Sequence, residues 1–242
     1  MKKLLLNYSD SKFKNAQKYN SITGLETGGF DSVIECSPMT IDDQFKNLHN
    51  DILSQPRGGG YWLWKPYIIL KSLMSMSDGD ILFYCDSGSH FVSSINEILN
   101  TVSFDKQPII PFGVDPHLDR KFTKMDVFVF NECKEDQSIT DTVQVCASFQ
   151  LIKKSQTAID FYNELLYQCC NLNLITDAPN AFGVDNFSEF ADHRHDQSIY
   201  SVLCKRNRYE IFRDPSQFGL WSKEKYTNST YPQIIEHTRR QD

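Results

Sequence analysis

The 242-residue chain has 40% hydrophobic and 13% aromatic residues, enough to bury one large core, so a single domain over 1–242 is expected. Its 31 acidic against 25 basic side chains leave a formal net charge of -6, which argues against the basic face that nucleic-acid binding requires. No apolar run is long enough to span a bilayer, and the seven cysteines contain no C-x-x-C pair, so neither a membrane span, a zinc site nor a disulfide framework is indicated.

The apolar start Leu4-Leu5-Leu6 stops at Asn7-Tyr8-Ser9-Asp10, too early for a signal peptide. A cytoplasmic, reduced protein is expected, in which the sequons at Asn7 and Asn228 play no part. Peripheral membrane contact is left open. Residues 4–8 read as a first strand, Ser9-Asp10-Ser11 as a turn that could meet a ligand, 12–19 as a short helix and 33–36 as a second strand. This is the opening of an alternating α/β fold. Residues 41–53 read as helical. Next comes Arg57-Gly58-Gly59-Gly60-Tyr61-Trp62-Leu63-Trp64-Lys65-Pro66, three glycines leading into aromatics and a lysine. Pro66 suits the first turn of a helix, so Lys65 stands where a helix start could face an anion, while Trp64 is expected in the core. The G-x-x-x-x-G-K-[ST] spacing of a nucleotide P-loop is absent.

Ile81-Leu82-Phe83-Tyr84-Cys85 is a run of five apolar residues, the pattern of a strand covered on both faces. It ends at Asp86-Ser87-Gly88. Ligands of open α/β sheets bind outside the carboxyl ends of the strands, so Asp86 is a candidate for holding a metal ion or a sugar hydroxyl, although strand-end carboxylates often only cap a turn. Beyond it, the spacing of Ile95, Ile98, Leu99 and Val102 predicts an amphipathic helix over 94–102. A strand is expected over 108–112, polar turns over 113–124, a surface excursion over 132–141, and one long strand over 143–152. Ala158, Phe161, Tyr162, Leu165, Leu166 and Cys169 mark a helix face. Residues 171–189 read as loop, and Asp196 opens a late helix carrying Ile199, Val202 and Leu203. The final segment has little periodicity and ends in Glu236-His237-Thr238-Arg239-Arg240.

Taken in order, Gly60-Tyr61-Trp62-Leu63-Trp64-Lys65-Pro66, Tyr84-Cys85-Asp86-Ser87-Gly88 and His193-Arg194-His195-Asp196-Gln197-Ser198 resemble blocks of a group of bacterial and viral nucleotide-sugar glycosyltransferases of the GT-A fold. The resemblance spans most of the chain. It implies an α/β, Rossmann-like domain with a mixed, mostly parallel central sheet flanked by helices. It also implies transfer of a sugar from a nucleotide-diphosphate donor, UDP-sugar first, to a hydroxyl of a glycan or glycolipid acceptor. In such enzymes Mn²⁺ or Mg²⁺ bridges the donor diphosphate to an Asp-x-Asp motif; here Gly88 replaces the second Asp. Asp86 would then share the ion with the phosphates, water and His237.

Asp196 and Gln197 match the Asp-Gln pair that lies near the sugar in several retaining families, so they are the catalytic candidates and retention is expected. An inverting enzyme would instead use Asp196 as general base. The bland alternative is that Asp196 caps its helix and pairs with Arg194 or His193. Tyr8 and Ser9 are candidates for stacking on and hydrogen-bonding the base, and Trp62, Lys65, Ser87, Lys124 and Arg194 for the rest of the donor. Lys124 is read as an exposed lysine in a polar loop. Asp86→Ala and Asp196→Ala are each expected to remove transfer with little loss of stability. A nucleotidyltransferase would be expected to show a basic glycine-rich loop after the first strand, which Tyr8-Ser9-Asp10-Ser11 is not. A catalytically silent glycan-binding module on the same fold is the other reading.

Overall fold

The computed structural model describes residues 1–238; Arg239 and Arg240, noted beside His237 in the sequence, lie outside them. Ten strands are described: β1 (Lys3–Tyr8), β2 (Ser32–Cys36), β3 (Ile81–Cys85), β4 (Ser89–Phe91), β5 (Ile109–Ile110), β6 (Phe112–Leu118), β7 (Val143–Val145), β8 (Phe149–Lys153), β9 (Phe212–Arg213) and β10 (Ile235–His237). The four longest α-helices are α1 (Lys14–Thr23), α2 (Trp64–Ser75), α3 (Gln156–Cys169) and α4 (Asp196–Arg206).

The central sheet has the order β2-β1-β3-β8-β5. β1 pairs parallel with β2 and β3, whereas β8 runs antiparallel to both β3 and β5, so it alone is reversed. This is the mixed, mostly parallel sheet expected. The apolar run of β3 is buried throughout because successive side chains enter different cores. Leu82 and Tyr84 join Trp64, Ile68 and Leu73 of α2, Phe161 and Leu165 of α3, and Ile199 and Leu203 of α4. Ile81, Phe83 and Cys85 face the opposite cluster, with Phe30, Phe91, Ile98 and Ile235. Six of the seven cysteines are buried and all seven are free, as expected of small core residues.

Three sequence expectations need correcting. Residues 143–152 are two strands in two sheets, β7 beside β6 and β8 beside β3, because the chain turns at Cys146-Ala147-Ser148. Residues 113–124 are not all turns: β6 runs to Leu118, and its outer half is polar and only partly buried, which hid the strand signal. The helix expected over 94–102 is only Asn96–Leu99, although Ile95 and Ile98 are buried as their spacing implied. No helix among the described residues is long and apolar enough to cross a membrane.

Candidate active site

The segment before Lys65 has an unusual backbone. Gly58, Gly59, Gly60, Tyr61 and Trp62 all have positive φ, at 60°, 57°, 97°, 51° and 59°. Three glycines make this left-handed turn accessible, but bulky residues in that region carry strain, here at Tyr61 and Trp62. The turn is secured by packing: Trp64 Nε1 donates to the Gly58 carbonyl at 2.9 Å, and the Trp62 ring stacks on His195 with centroids 5.4 Å apart. Trp64 is buried as expected, and its ring stacks on Tyr8 at 3.7 Å. Immediately after the turn, α2 begins and buries Lys65.

Lys65 is only 3% exposed. Its ammonium lies 3.1 Å from Asp196 Oδ2 and 3.5 Å from Asp86 Oδ1, and donates to the Ala147 carbonyl at 3.3 Å. One cation thus joins the two candidate carboxylates named from the sequence, and both of them reach it from element ends. Asp86 follows the last residue of β3, and Asp196 is the first residue of α4, after His195 at φ 53°. Asp86 Oδ1 also accepts from the Tyr84 hydroxyl at 2.6 Å, a contact that follows from strand alternation. Asp86 is the more open of the two, with 29% of its side chain exposed against 7% for Asp196.

Burial lifts the Asp196 carboxyl to about 6, with Asp86 adding to the lift and Lys65 pulling against it. Burial pulls the Lys65 ammonium down, but Asp196 and then Asp86 outweigh it, so its pKa is raised. Each group of the pair thus favours the charged form of the other. Gln197 is held by its neighbours: Oε1 accepts from the Ala147 amide at 3.2 Å, and Nε2 donates to Gln144 Oε1 at 2.8 Å.

The link between β7 and β8 is a part of the site that sequence reasoning missed. Ala147 bonds both Lys65 and Gln197, and the Ser148 carbonyl accepts from the Asp86 amide at 2.9 Å. These are backbone contacts, so no residue type announced them. Tyr84 was missed as well, although its place two residues before Asp86 was a readable signal.

The remaining candidates are distributed as follows. Ser87 Oγ donates to the Tyr8 carbonyl at 2.6 Å, tying the ends of β1 and β3 together. Ser9 is buried and its hydroxyl donates to Gln17 at 2.7 Å. The Arg194 guanidinium lies over the Phe122 ring at 3.9 Å. Lys124 is not an exposed loop lysine: it is 2% exposed, lies 3.2 Å from the buried Asp126 and donates to the Ala178 carbonyl at 2.7 Å. Lys65 is committed in the same way, so neither lysine presents an open ammonium to a donor phosphate as the sequence led one to expect. His237, on β10, shares a hydrogen bond between Nδ1 and Ser89 Oγ at 2.6 Å, and the next amide, of Thr238, donates to the Gly88 carbonyl at 3.2 Å. The last strand therefore returns to the turn that holds Asp86.

No group of three or more His, Cys, Asp or Glu side chains among the described residues could hold a metal ion by itself. Asp86 and His237 bring one carboxylate and one imidazole, too few ligands to hold Mg²⁺ or Mn²⁺ without others. Lys65 beside Asp86 Oδ1 weakens the pull of that carboxylate on a cation.

No protein-family model and no curated protein matches the sequence. Among solved structures, mouse xyloside xylosyltransferase 1 has a TM-score of 0.51 at 10% identity, over 96% of this chain and 96% of that one. The galactosyltransferase LgtC in complex with donor and acceptor sugar analogues has a TM-score of 0.48 at 13% identity, over 97% and 86%. A glycosyltransferase involved in glycosylating the major capsid of PBCV-1 also has 0.48, at 11% identity, over 90% and 84%. The chain has the GT-A fold found among glycosyltransferases.

Proposed function

We propose that the chain is a glycosyltransferase that moves a sugar from a nucleotide-diphosphate donor, UDP-sugar first, to a hydroxyl of a glycan acceptor, with retention. The observation that carries this reading is the Asp86–Lys65–Asp196 array at the carboxyl edge of the sheet, the edge where open α/β folds take their ligands. A buried ammonium between two carboxylates, one of them partly open, is a charged centre of the kind that clusters at functional sites.

In the proposed reaction, the bond between the anomeric carbon and the diphosphate oxygen breaks, and its electron pair leaves with the diphosphate. The acceptor oxygen forms the new bond, and its proton passes to the departing phosphate oxygen on the same face. Positive charge grows on the sugar and negative charge on the phosphate in the transition state, so fixed charges of both signs lower the barrier. Asp196, ionised and held by Lys65, accepts hydroxyls of the donor sugar. The Gln197 amide, fixed by Gln144 and Ala147, lies beside the reacting carbon. Asp86 faces the diphosphate, where with His237 it would hold Mn²⁺ or Mg²⁺; when bound, that ion supplies positive charge to the leaving group.

The test is release of nucleoside diphosphate from a panel of UDP-, GDP- and dTDP-sugars, with and without Mn²⁺. Turnover of a UDP-sugar that falls at least about 100-fold in both Asp86→Asn and Asp196→Asn supports the reading. No turnover of any donor by the folded chain, together with binding of glycans, would favour a silent module.

A further inference from the structure

A row of exposed aromatics has no part in the charged array described above. The 3₁₀ helix Gln217–Lys225 presents Trp221 at 90% exposure, Phe218 at 53% and Leu220 at 39%. With three residues per turn, Phe218 and Trp221 share one row, while Gly219 is buried, as is Ser222, where the helix kinks at φ -116°. The inward face is tight: a Cβ on Gly219 would lie 1.9 Å from the Asp214 carbonyl oxygen.

This helix is pinned to the strand that carries His237. The Gln217 side chain clasps the His237 backbone, accepting from its amide at 2.9 Å and donating to its carbonyl at 2.9 Å. The Phe218 ring meets the His237 ring edge to face, with centroids 6.2 Å apart. His237 in turn touches Ser89, and Thr238 touches Gly88, in the turn that follows Asp86. The aromatic row is therefore tied, through His237 and Thr238, to the turn that follows Asp86, and its exposure rises from Phe218 to Trp221.

We propose that Phe218 and Trp221 form a stacking platform for pyranose rings of a saccharide acceptor; the assignment rests on the transferase reading above and names the acceptor as a glycan of more than one ring. The C–H face of a pyranose is apolar and slightly positive, so it lies flat on the electron-rich face of an aromatic ring. An uncharged occupant also suits the charges around the row. Lys223 and Glu224 offset each other, and Lys225 is paired with Asp115 at 2.5 Å. A bilayer rich in anionic lipid calls for a cluster of basic residues, which this helix lacks. A stable second copy needs about 800 Å² from each partner, far more than three side chains offer.

Saturation-transfer NMR on the full chain tests the platform, with lactose, cellotriose, maltotriose, chitotriose and xylobiose as probes and no donor present. Saturation of ring C–H protons is expected for at least one of these sugars. It should be lost in Trp221→Ala, reduced severalfold in Phe218→Ala, and largely retained in Trp221→Phe. Transfer to none of the five, transfer that survives Trp221→Ala in a chain of unchanged melting temperature, or transfer equally lost in Trp221→Phe would overturn the assignment. So would a Trp221-dependent pelleting with phosphatidylglycerol vesicles, or self-association, in place of saccharide contact. The NMR measurement needs no turnover, so failure of the transferase reading appears in the nucleoside-diphosphate assay and failure of the platform appears only here.

Discussion

Lys65 is a buried cation, and its environment accounts for it fully: two carboxylates, a carbonyl, and the Tyr84 ring at 5.2 Å. Removing one member of such a buried set leaves the others without compensation, which costs about 3–5 kcal/mol. The expectation that Asp196→Ala leaves stability untouched is therefore revised: a loss of this size is predicted in urea unfolding, and Asp86→Ala, at a more open position, should lose less. Titration of Asp196 makes a second prediction. Its folded pKa of about 6 lies above the ordinary 3.8, because burial disfavours the charged form. An acid raised in this way contributes stability that is full below 3.8 and is lost as pH rises through about 6. Relative to Asp196→Asn, the wild-type chain should thus become less stable on going from pH 4 to pH 7. Donor turnover should run the other way, falling tenfold per pH unit below about 6 as Asp196 takes up its proton. A rate that is flat from pH 5 to pH 8 would remove Asp196 from the chemistry.

The elements around the site differ in how openly the sequence declared them. β3 and the start of α4 were legible because a five-residue apolar run and an acid before a 3.6-residue repeat are direct records of burial and helix geometry. Pro66 likewise marked the first turn of α2. The left-handed turn at 58–62 was visible only as three glycines, since nothing in residue type shows that Tyr61 and Trp62 would follow them into positive φ. The break between β7 and β8 was hidden for another reason: Cys146-Ala147-Ser148 is made of small residues that a strand accepts, and its backbone bonds to Lys65, Gln197 and Asp86 show what it does. Lys124 was misjudged because a polar neighbourhood in sequence says nothing about the buried Asp126 that receives it. The turn itself is testable. At Gly60 a Cβ would lie 2.6 Å from Leu53 Cα, at a φ of 97°. Gly60→Ala should lower stability by about 1–3 kcal/mol and, by shifting Lys65, reduce donor turnover more than heat stability alone explains. An alanine variant with wild-type melting and wild-type turnover would show that the turn does not position the lysine.

At the scale of the molecule, the site is assembled from chain segments that only the fold brings together. β3 supplies Asp86, α2 supplies Lys65, α4 supplies Asp196 and Gln197, and β10 closes back on β4 with His237 against the turn after Asp86. If Asp86 and His237 share an ion with the donor, His237→Ala should raise the Mn²⁺ concentration for half-maximal turnover about tenfold. An unchanged Mn²⁺ dependence would remove His237 from the ligand set. Lys65 and Asp196 are expected to act as one unit, which a double-mutant cycle tests. Donor turnover is measured for Lys65→Met, Asp196→Asn and the pair, each checked for folding. Residues that act together are strongly non-additive, so the double variant should be no slower than the slower single one. Losses that simply multiply would mean that the lysine and the carboxylate work apart, and would contradict the account.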